Sequence, residues 1–202
     1  MYTPAYSRED RTDVMQDAMR RIGFATLVTT GEGGIQASHL PMVLDAGAGP
    51  LGTLSGHFAR PNPQARTPRE ALAIFLGPHA YVSPSWIPAK RETGKAVPTW
   101  NYIAVHAAGP LTLHDDAGWL RDHLEKLTAA NEAHRPDPWK VSDAPGDYIA
   151  AMQKGIIGFS MAVARLEGKW KLSQNHPETT QAEIAAGLRA DGHAALADLM
   201  QI

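Results

Sequence analysis

The chain has 202 residues, of which 44% are hydrophobic and 20% charged, so it can bury a core and lacks the composition of a disordered protein. Its 19 Lys and Arg against 21 Asp and Glu give a formal net charge of -2, which disfavours the basic face that nucleic-acid binding needs. The absence of cysteine excludes disulfides and thiolate metal sites.

The first residues and the length of the apolar segments indicate where in the cell the protein is expected. The first residues lack the basic start and apolar run of a signal peptide, and no segment is apolar for long enough to span a bilayer. No change in composition marks a linker. We therefore expect a cytoplasmic protein with a single domain over residues 1–202.

The first half of the chain predicts one helix and several short strands. Residues 9–22 have apolar residues at three- and four-residue spacing, which predicts an amphipathic helix that ends at Gly23. Residues 84–98 are polar and contain several prolines, which predicts an exposed loop. Alternation and turn residues predict strands at 24–30, 35–44, 51–57, 70–76 and 79–83.

The second half predicts a long strand, a hairpin and helices. Residues 99–113 have a strand pattern, and Asp115 or Asp116 would cap the helix that follows, with a buried stripe of Leu120, Leu124 and Leu127. A short helix is expected near 148–152. A hairpin would join 156–166 to 169–173 around Glu167-Gly168. The tail would be helical from Thr180, with a capping box formed with Glu183 and an apolar face of Ile184, Leu188, Leu196 and Leu199.

This order of elements predicts the fold class. Antiparallel hairpins dominate, and strands do not alternate regularly with helices, so an α+β or mainly β fold is expected. An antiparallel barrel with flanking helices would remove the edges that many short strands otherwise expose.

Two polar segments suit a phosphate. In residues 37–41 strand alternation places Ser38 and Leu40 on one face and His39 on the other. Residues 54–63, Leu-Ser-Gly-His-Phe-Ala-Arg-Pro-Asn-Pro, combine several donors with no carboxylate, as an anion site requires. The alternative is a turn whose His and Arg face water.

A third segment suits a flat ring. Residues 98–102 read Pro-Thr-Trp-Asn-Tyr, and residues 81–86 read Tyr-Val-Ser-Pro-Ser-Trp, so aromatic bodies alternate with hydroxyl and amide groups. A flavin or a haem needs such stacking surfaces and edge hydrogen bonds. Ordinary barrel packing is the alternative and is favoured on composition alone.

Other catalytic chemistry has little support. The nine histidines are scattered, and none forms the helical pair around an acid that a zinc hydrolase motif requires. The sequence has no Gly-x-Ser-x-Gly elbow and no P-loop. No metal site is predicted.

Taken together, several ordered blocks resemble one family. They are Met-Tyr-Thr-Pro-Ala-Tyr at the start, Ser-His-Leu-Pro at 38–41, Gly-His-Phe-Ala-Arg-Pro-Asn-Pro at 56–63, Gly-Pro-His-Ala-Tyr-Val-Ser-Pro-Ser-Trp at 77–86, Val-Pro-Thr-Trp-Asn-Tyr at 97–102 and Lys-Leu-Ser-Gln-Asn at 171–175. The chain resembles PaiB-like proteins, the FMN-binding negative transcriptional regulators with a pyridoxamine-phosphate-oxidase-like split β-barrel. The resemblance implies that barrel, a homodimer, FMN at the subunit interface, and control of protease and sporulation genes.

The resemblance also implies which residues hold FMN. The phosphate would lie near Ser38, Ser55, His57, Arg60 and Asn62, and His39 is also predicted to bind the cofactor. The ring would lie near Trp100, Asn101 and Tyr102, and Lys171 and Gln174 would approach from the last strand. The position after Trp86, often aromatic in this family, is Ile87 here.

Alternative functions stay open at this stage. One is a flavin-dependent oxidoreductase for a small molecule, with the segment around Lys90 to Lys95 as a lid. Another is haem binding or degradation, with His176 or His193 as the axial ligand. A third is an interaction module without a ligand. DNA or a regulatory protein is a further partner to consider, although no helix-turn-helix with a basic face is recognised, which disfavours direct DNA contact.

Overall fold

The computed structural model describes residues 1–31, 34–66 and 70–200. The chain divides into two compact units. The first unit comprises Met1–Met15, Leu76–Val105 and Glu167–Ile202, and the second comprises Gln16–Phe75 and His106–Leu166. The expectation of one domain over residues 1–202 stays a prediction.

Strands account for most of the regular structure in the middle of the chain. In chain order they are β1 (Arg8–Glu9), β2 (Phe24–Gly31), β3 (Gly34–Pro41), β4 (Val43–Asp45), β5 (Thr53–Ala59), β6 (Glu70–Val82), β7 (Thr99–His114), β8 (Ile156–Ala162) and β9 (Arg165–Lys171). The helices are α1 (Thr12–Ile22), α2 (Pro88–Thr93), α3 (Ala117–Glu132), α4 (Gly146–Gln153), α5 (Glu178–Ala190) and α6 (Ala194–Asp198). Among the described residues, no helix has the length and apolar character needed to cross a membrane.

The sheet is antiparallel wherever its register is defined. The strand order is β3-β2-β6-β7-β8-β5-β4, and β9 pairs with β1 and β7. Antiparallel pairs join β2 to β3 and β6, and β5 to β4 and β8. Alternate residues of β2, from Ala25 through Leu27 to Thr29, are buried, as a strand with one face on the core requires.

The two short strands predicted at 70–76 and 79–83 form a single strand, β6. Gly77 and Pro78 lie inside it and do not interrupt it. The backbone angle of proline is compatible with extended chain, and proline removes only one ladder donor. The prediction of a break there was therefore wrong.

The predicted hairpin around Glu167-Gly168 was also wrong. Both residues lie inside β9, whose partners are β1 and β7 and not β8. A Cβ at Gly168 would come 2.8 Å from the carbonyl oxygen of Glu9. This glycine thus permits the close approach of β1 and does not form a turn.

The helices follow their predicted patterns with local differences. Helix α1 begins at Thr12 and not at Glu9, which belongs to β1. The Asp116 side chain caps α3 by accepting from the Trp119 backbone N–H at 2.8 Å, as predicted. The loop predicted at 84–98 contains α2, which begins at Pro88 and ends before Gly94 in the left-handed conformation.

The C-terminal helices form the core of the first unit. Ile184, Leu188 and Leu196 are fully buried against a cluster that includes Val82 and Ile103, which confirms their predicted apolar face, and Leu199 packs against the same cluster. The predicted capping box is wrong because α5 begins at Glu178, directly after Pro177, so Thr180 already lies within the first turn.

Candidate functional site

Ser38 and Asn62 belong to one polar network in the second unit. The Asn62 side chain donates to Ser38 Oγ at 2.9 Å, and Ser38 Oγ donates to Gln64 Oε1 at 2.5 Å. Asn62 Oδ1 accepts from the Gln64 backbone N–H at 2.9 Å, which caps the short turn after Pro61. These residues line a cavity of about 600 Å³, and the lining residues that the structure describes include no carboxylate. The predicted phosphate residues Ser38 and Asn62 are therefore together.

Gln64 holds this network in place, and the sequence did not indicate it. Its side chain is 4% exposed and donates to Thr29 Oγ1 at 2.9 Å and to the Leu27 carbonyl at 3.3 Å. A polar side chain buried to this degree needs such partners. The only available signal was its position next to the Asn-Pro turn.

His39 lies on the opposite face of β3. Its Nδ1 is 3.0 Å from Thr26 Oγ1, and Thr26 is its cross-strand partner on β2. Ser38, one residue earlier, hydrogen-bonds to Gln64 instead. The predicted alternation along β3 is therefore present.

Arg60 forms an ion pair at the surface of the second unit. Its guanidinium donates to both carboxylate oxygens of Asp115, at 2.9 and 2.6 Å, and to the carbonyls of Lys154 and Ile156 at 2.7 and 3.1 Å. The hydrogen bond from Arg60 lowers the pKa of Asp115. A phosphate bound by Arg60 would thus have to take the place of this carboxylate.

Ser55 and His57 contact a different residue, His123 of α3. His123 Nε2 is 3.1 Å from His57 Nδ1, and His123 Nδ1 is 3.3 Å from Ser55 Oγ. The three side chains form a chain of hydrogen bonds beneath α3. Ser55 and His57 are therefore not part of the network around Ser38 and Asn62. His123 occupies the face of α3 that was predicted to be lined by leucines, of which Leu120 is fully buried.

Trp119 stacks between two histidines of this cluster. Its ring centre is 4.1 Å from that of His114 and 5.3 Å from that of His123, at angles of 10° and 17°. His114 Nε2 is also 2.8 Å from Ser160 Oγ. A Cβ at Gly158 would lie 2.2 Å from the Trp119 ring, so glycine is needed there.

The pKa values of the histidines in this cluster are lowered, which favours the neutral form. Burial lowers the pKa of His57 and of His114. Burial, and then the nearby His57 and Lys126, lower the pKa of His123 to about 4. At neutral pH these rings are uncharged, and each can both donate and accept one hydrogen bond.

Trp100 and Tyr102 lie on the outer face of β7 in the first unit. Trp100 is 53% exposed, and its ring centre is 6.2 Å from that of Tyr81 and 6.4 Å from that of His79. The ammonium of Lys169 lies 5.4 Å from the centre of the Tyr102 ring. This face is an aromatic platform with a cation beside it.

Asn101 points away from these aromatic residues. It is fully buried, and its Oδ1 accepts from Ser173 Oγ at 3.0 Å. Strand alternation explains why it is separated from its neighbours Trp100 and Tyr102. Ile87, at the position after Trp86, is buried in the core of the same unit.

Lys171 and Gln174 lie at the end of β9. Lys171 Nζ donates to Thr99 Oγ1 at 2.6 Å and to the Trp100 carbonyl. Gln174 Oε1 accepts from the Leu172 backbone N–H at 2.8 Å, and its amide donates to the Trp170 carbonyl. Gln174 thus stabilises the turn that follows the strand.

Each of these surfaces, taken by itself, has the chemistry that one part of FMN needs. A phosphate needs hydrogen-bond donors without a competing carboxylate, and the described lining of the Ser38–Asn62 cavity has polar side chains and no carboxylate. A flavin ring needs an aromatic surface with polar groups at its edge, and the outer face of β7 offers Trp100, Tyr102 and Lys169. Within the described part of the chain, no group of three or more His, Asp or Glu is placed to hold a metal ion.

Sequence comparisons identify the family. A family model described as "Putative FMN-binding domain" matches residues 1–165. Protease synthase and sporulation protein PAI 2 of Bacillus subtilis is 34% identical to the chain, over 94% of the chain and 89% of that protein. Uncharacterized protein AN0679 of Emericella nidulans is 33% identical, over 93% of the chain and 90% of that protein.

Structural comparisons confirm the fold class. The FAD and heme binding protein from Mycobacterium smegmatis matches with a TM-score of 0.61 and 16% identity, over 90% of this chain and 80% of that chain. The flavocytochrome Anf3 from Azotobacter vinelandii matches with a TM-score of 0.54 and 11% identity, over 90% and 78%. Likeness at this identity concerns the fold, which is the predicted split β-barrel with flanking helices.

Proposed function

The chain belongs to the FMN-binding domain family and its cofactor is FMN, and on that basis we propose that it acts as a PaiB-like negative transcriptional regulator or redox sensor. The observation that carries the proposal is its similarity, along almost the whole chain, to a Bacillus subtilis protein named for protease synthesis and sporulation. FMN occupancy or redox state would alter gene expression, directly or through a regulatory protein partner.

The chain's own residues would bind and orient the cofactor. Asn62 would donate to the phosphate with the amide hydrogen that it does not give to Ser38, and Ser38 would turn its hydroxyl hydrogen from Gln64 Oε1 to the phosphate. Trp100 and Tyr102 would contact the ring. The other residues predicted to bind FMN stay predictions: Arg60, His39, Ser55, His57, Asn101, Lys171 and Gln174. Bound FMN supplies hydride and electron transfer, and the protein supplies position and electrostatics.

We further infer a cytoplasmic homodimer with FMN at its interface. Tyr81 on β6 and Trp100 on β7 support this inference because they are 46% and 53% exposed and their ring centres are 6.2 Å apart. Exposed aromatic groups of this kind are enriched at protein interfaces.

FMN titration of purified protein, followed by the visible absorption spectrum, tests the site. We expect saturable binding that Asn62→Ala weakens about tenfold or more, since a hydrogen bond to a charged group contributes about 1.5–3 kcal/mol. Asn131→Ala, an exposed asparagine on α3, is the matched control and should bind as wild type does. Equal affinities for the two variants would place the phosphate elsewhere.

Transcript profiles test the regulatory role. A strain that lacks the gene should show a set of derepressed transcripts, which the wild-type gene returns to normal and the Asn62→Ala gene does not. Restoration by the Asn62→Ala gene would separate regulation from FMN binding. An unchanged profile in the deleted strain would contradict regulation altogether.

A flavin-dependent oxidoreductase is the second candidate. A cavity of about 500 Å³ in the first unit favours it, since small-molecule sites have this size. Oxidation of NADH or NADPH by the FMN-loaded protein, stimulated by a small substrate, would support this function. No oxidation over a broad substrate panel would count against it.

A further inference from the structure

The cavity of about 500 Å³ in the first unit has a cationic lining. Its charged or titratable residues include Lys95, Lys171 and His176, and no carboxylate is found among its lining residues within the described side chains. Hydroxyl and amide groups from Thr99, Asn175 and Thr180 are also present. The remaining wall is apolar and includes Ile87, Val97 and Pro177.

Lys171 is the key cation of this cavity. It is half-buried, and its ammonium donates to two neutral oxygen atoms, Thr99 Oγ1 at 2.6 Å and the Trp100 carbonyl. An ammonium has three donor hydrogens, so one is available beyond these two bonds. Burial lowers the pKa of Lys171, and the charged group that lowers it further is another cation, Lys169.

Lys169 makes the local charge more positive. Its side chain is buried, donates to the Tyr2 carbonyl at 3.0 Å, and lies 5.7 and 5.4 Å from the ring centres of Tyr2 and Tyr102. These partners are again neutral. Two lysines at alternate positions of β9, one buried and one half-buried, therefore have neutral partners among the described residues, although buried charges are normally paired.

We propose that this cavity binds a small organic acid, whose carboxylate pairs with the Lys171 ammonium and whose apolar body contacts Ile87 and Val97. Lys95, which is exposed, and His176 would contribute further positive charge or hydrogen bonds at the carboxylate. Such an acid would be a substrate or an effector in addition to FMN. Lys171 is also one of the predicted FMN ligands, so benzoate binding is measured without FMN as well as with it, and neither the regulatory role nor FMN binding is needed to detect this site.

Titration with benzoate as the probe, followed by calorimetry, tests this site on protein with and without FMN. We expect saturable benzoate binding in both forms, weaker at high ionic strength. Benzylamine, with the same ring and the opposite charge, should not bind. Lys171→Gln removes the charge and keeps a donor for Thr99, and it should weaken benzoate binding at least about tenfold.

Two further variants complete the design. Lys95→Gln changes an exposed residue of the cavity lining, and it should weaken benzoate binding a few-fold even if Lys171→Gln folds poorly. Lys154→Gln, an exposed lysine outside the cavity lining, should leave the binding unchanged.

Several outcomes would overturn the inference. They are the absence of benzoate binding at millimolar concentration, equal binding of benzylamine, and wild-type affinity in both cavity variants. Displacement of FMN by benzoate would assign the cavity to the cofactor. The benzoate titration is also made without FMN. A failure of the protein to bind FMN would therefore not affect the test of benzoate binding.

Discussion

Gln64 shows how one buried side chain can hold polar residues in place at the surface of a cavity. It contacts Thr29 and the Leu27 carbonyl below, and it accepts from Ser38 above. Replacing it with leucine would keep the volume and leave the polar partners without bonds.

We expect Gln64→Leu to lower the free energy of unfolding by about 1–3 kcal/mol, the cost of leaving buried polar groups unsatisfied. Urea denaturation measures this change. Gln36→Leu is the control, since Gln36 lines the same cavity and is only partly buried. A loss as large in Gln36→Leu as in Gln64→Leu would show that the buried network is not the cause.

Prediction at the residue scale succeeded where strand geometry or the family resemblance supplied the placement. The resemblance to PaiB-like proteins put Ser38 near Asn62, and the alternation of Ser38 and His39 follows from strand geometry. His123 was missed because its partners, His57 and Ser55, are more than sixty residues away and only tertiary packing brings them together.

At the scale of elements, α3 is held on the sheet by neutral histidines. The rings of His114 and His123 stack on Trp119, and His123 hydrogen-bonds to His57 on β5. Since burial lowers the pKa of all three histidines, protonation competes directly with this packing.

We expect stability to fall on acidification between about pH 6.5 and about pH 4. In this window the unfolded chain binds more protons than the folded protein, because the pKa of His123 is lowered to about 4. His123 therefore reduces the free energy of unfolding by up to about 1.4 kcal/mol per pH unit, and the lowered pKa values of His57 and His114 act in the same direction. Above about pH 6.5 these groups contribute no slope. Urea midpoints at a series of pH values measure the effect.

Two histidine variants, one of His123 and one of the exposed His134, show whether His123 causes this dependence of stability on pH. His123→Gln should reduce the slope, whereas His134→Gln, at an exposed position, should leave it unchanged. A slope that is the same in wild type and His123→Gln would exclude His123 as its source.

Elements with strong local signals were predicted well, and pairings between distant elements were not. Asp116 caps α3 as its sequence indicates, and β7 extends over the predicted long strand. The partner of β9 could not be inferred, because Gly168 resembles a turn residue in the sequence and serves instead for close approach to β1.

At the scale of the whole molecule, the proposed homodimer gives exposed aromatic residues a role. The chain has two tryptophans with similar exposure, Trp100 at 53% and Trp139 at 46%. Trp100 belongs to the aromatic platform with Tyr81 and His79, whereas Trp139 lines a separate groove in the second unit. This pair offers a matched comparison, because the same substitution at both positions removes a similar apolar area.

We expect Trp100→Ser to weaken FMN binding about three- to tenfold, the equivalent of one aromatic contact, and to shift the dimer toward monomer. Light scattering and FMN titration measure the two effects, and the wild type should have twice the chain mass of 21.8 kDa. Trp139→Ser should change neither. If Trp100→Ser remains dimeric with unchanged FMN affinity, the outer face of β7 is not the interface, and the cofactor must bind through other residues. If Trp100→Ser loses both the dimer and the FMN affinity, the flavin ring and the partner subunit bind at the same outer face of β7. A site built from two chains is lost when the two chains separate.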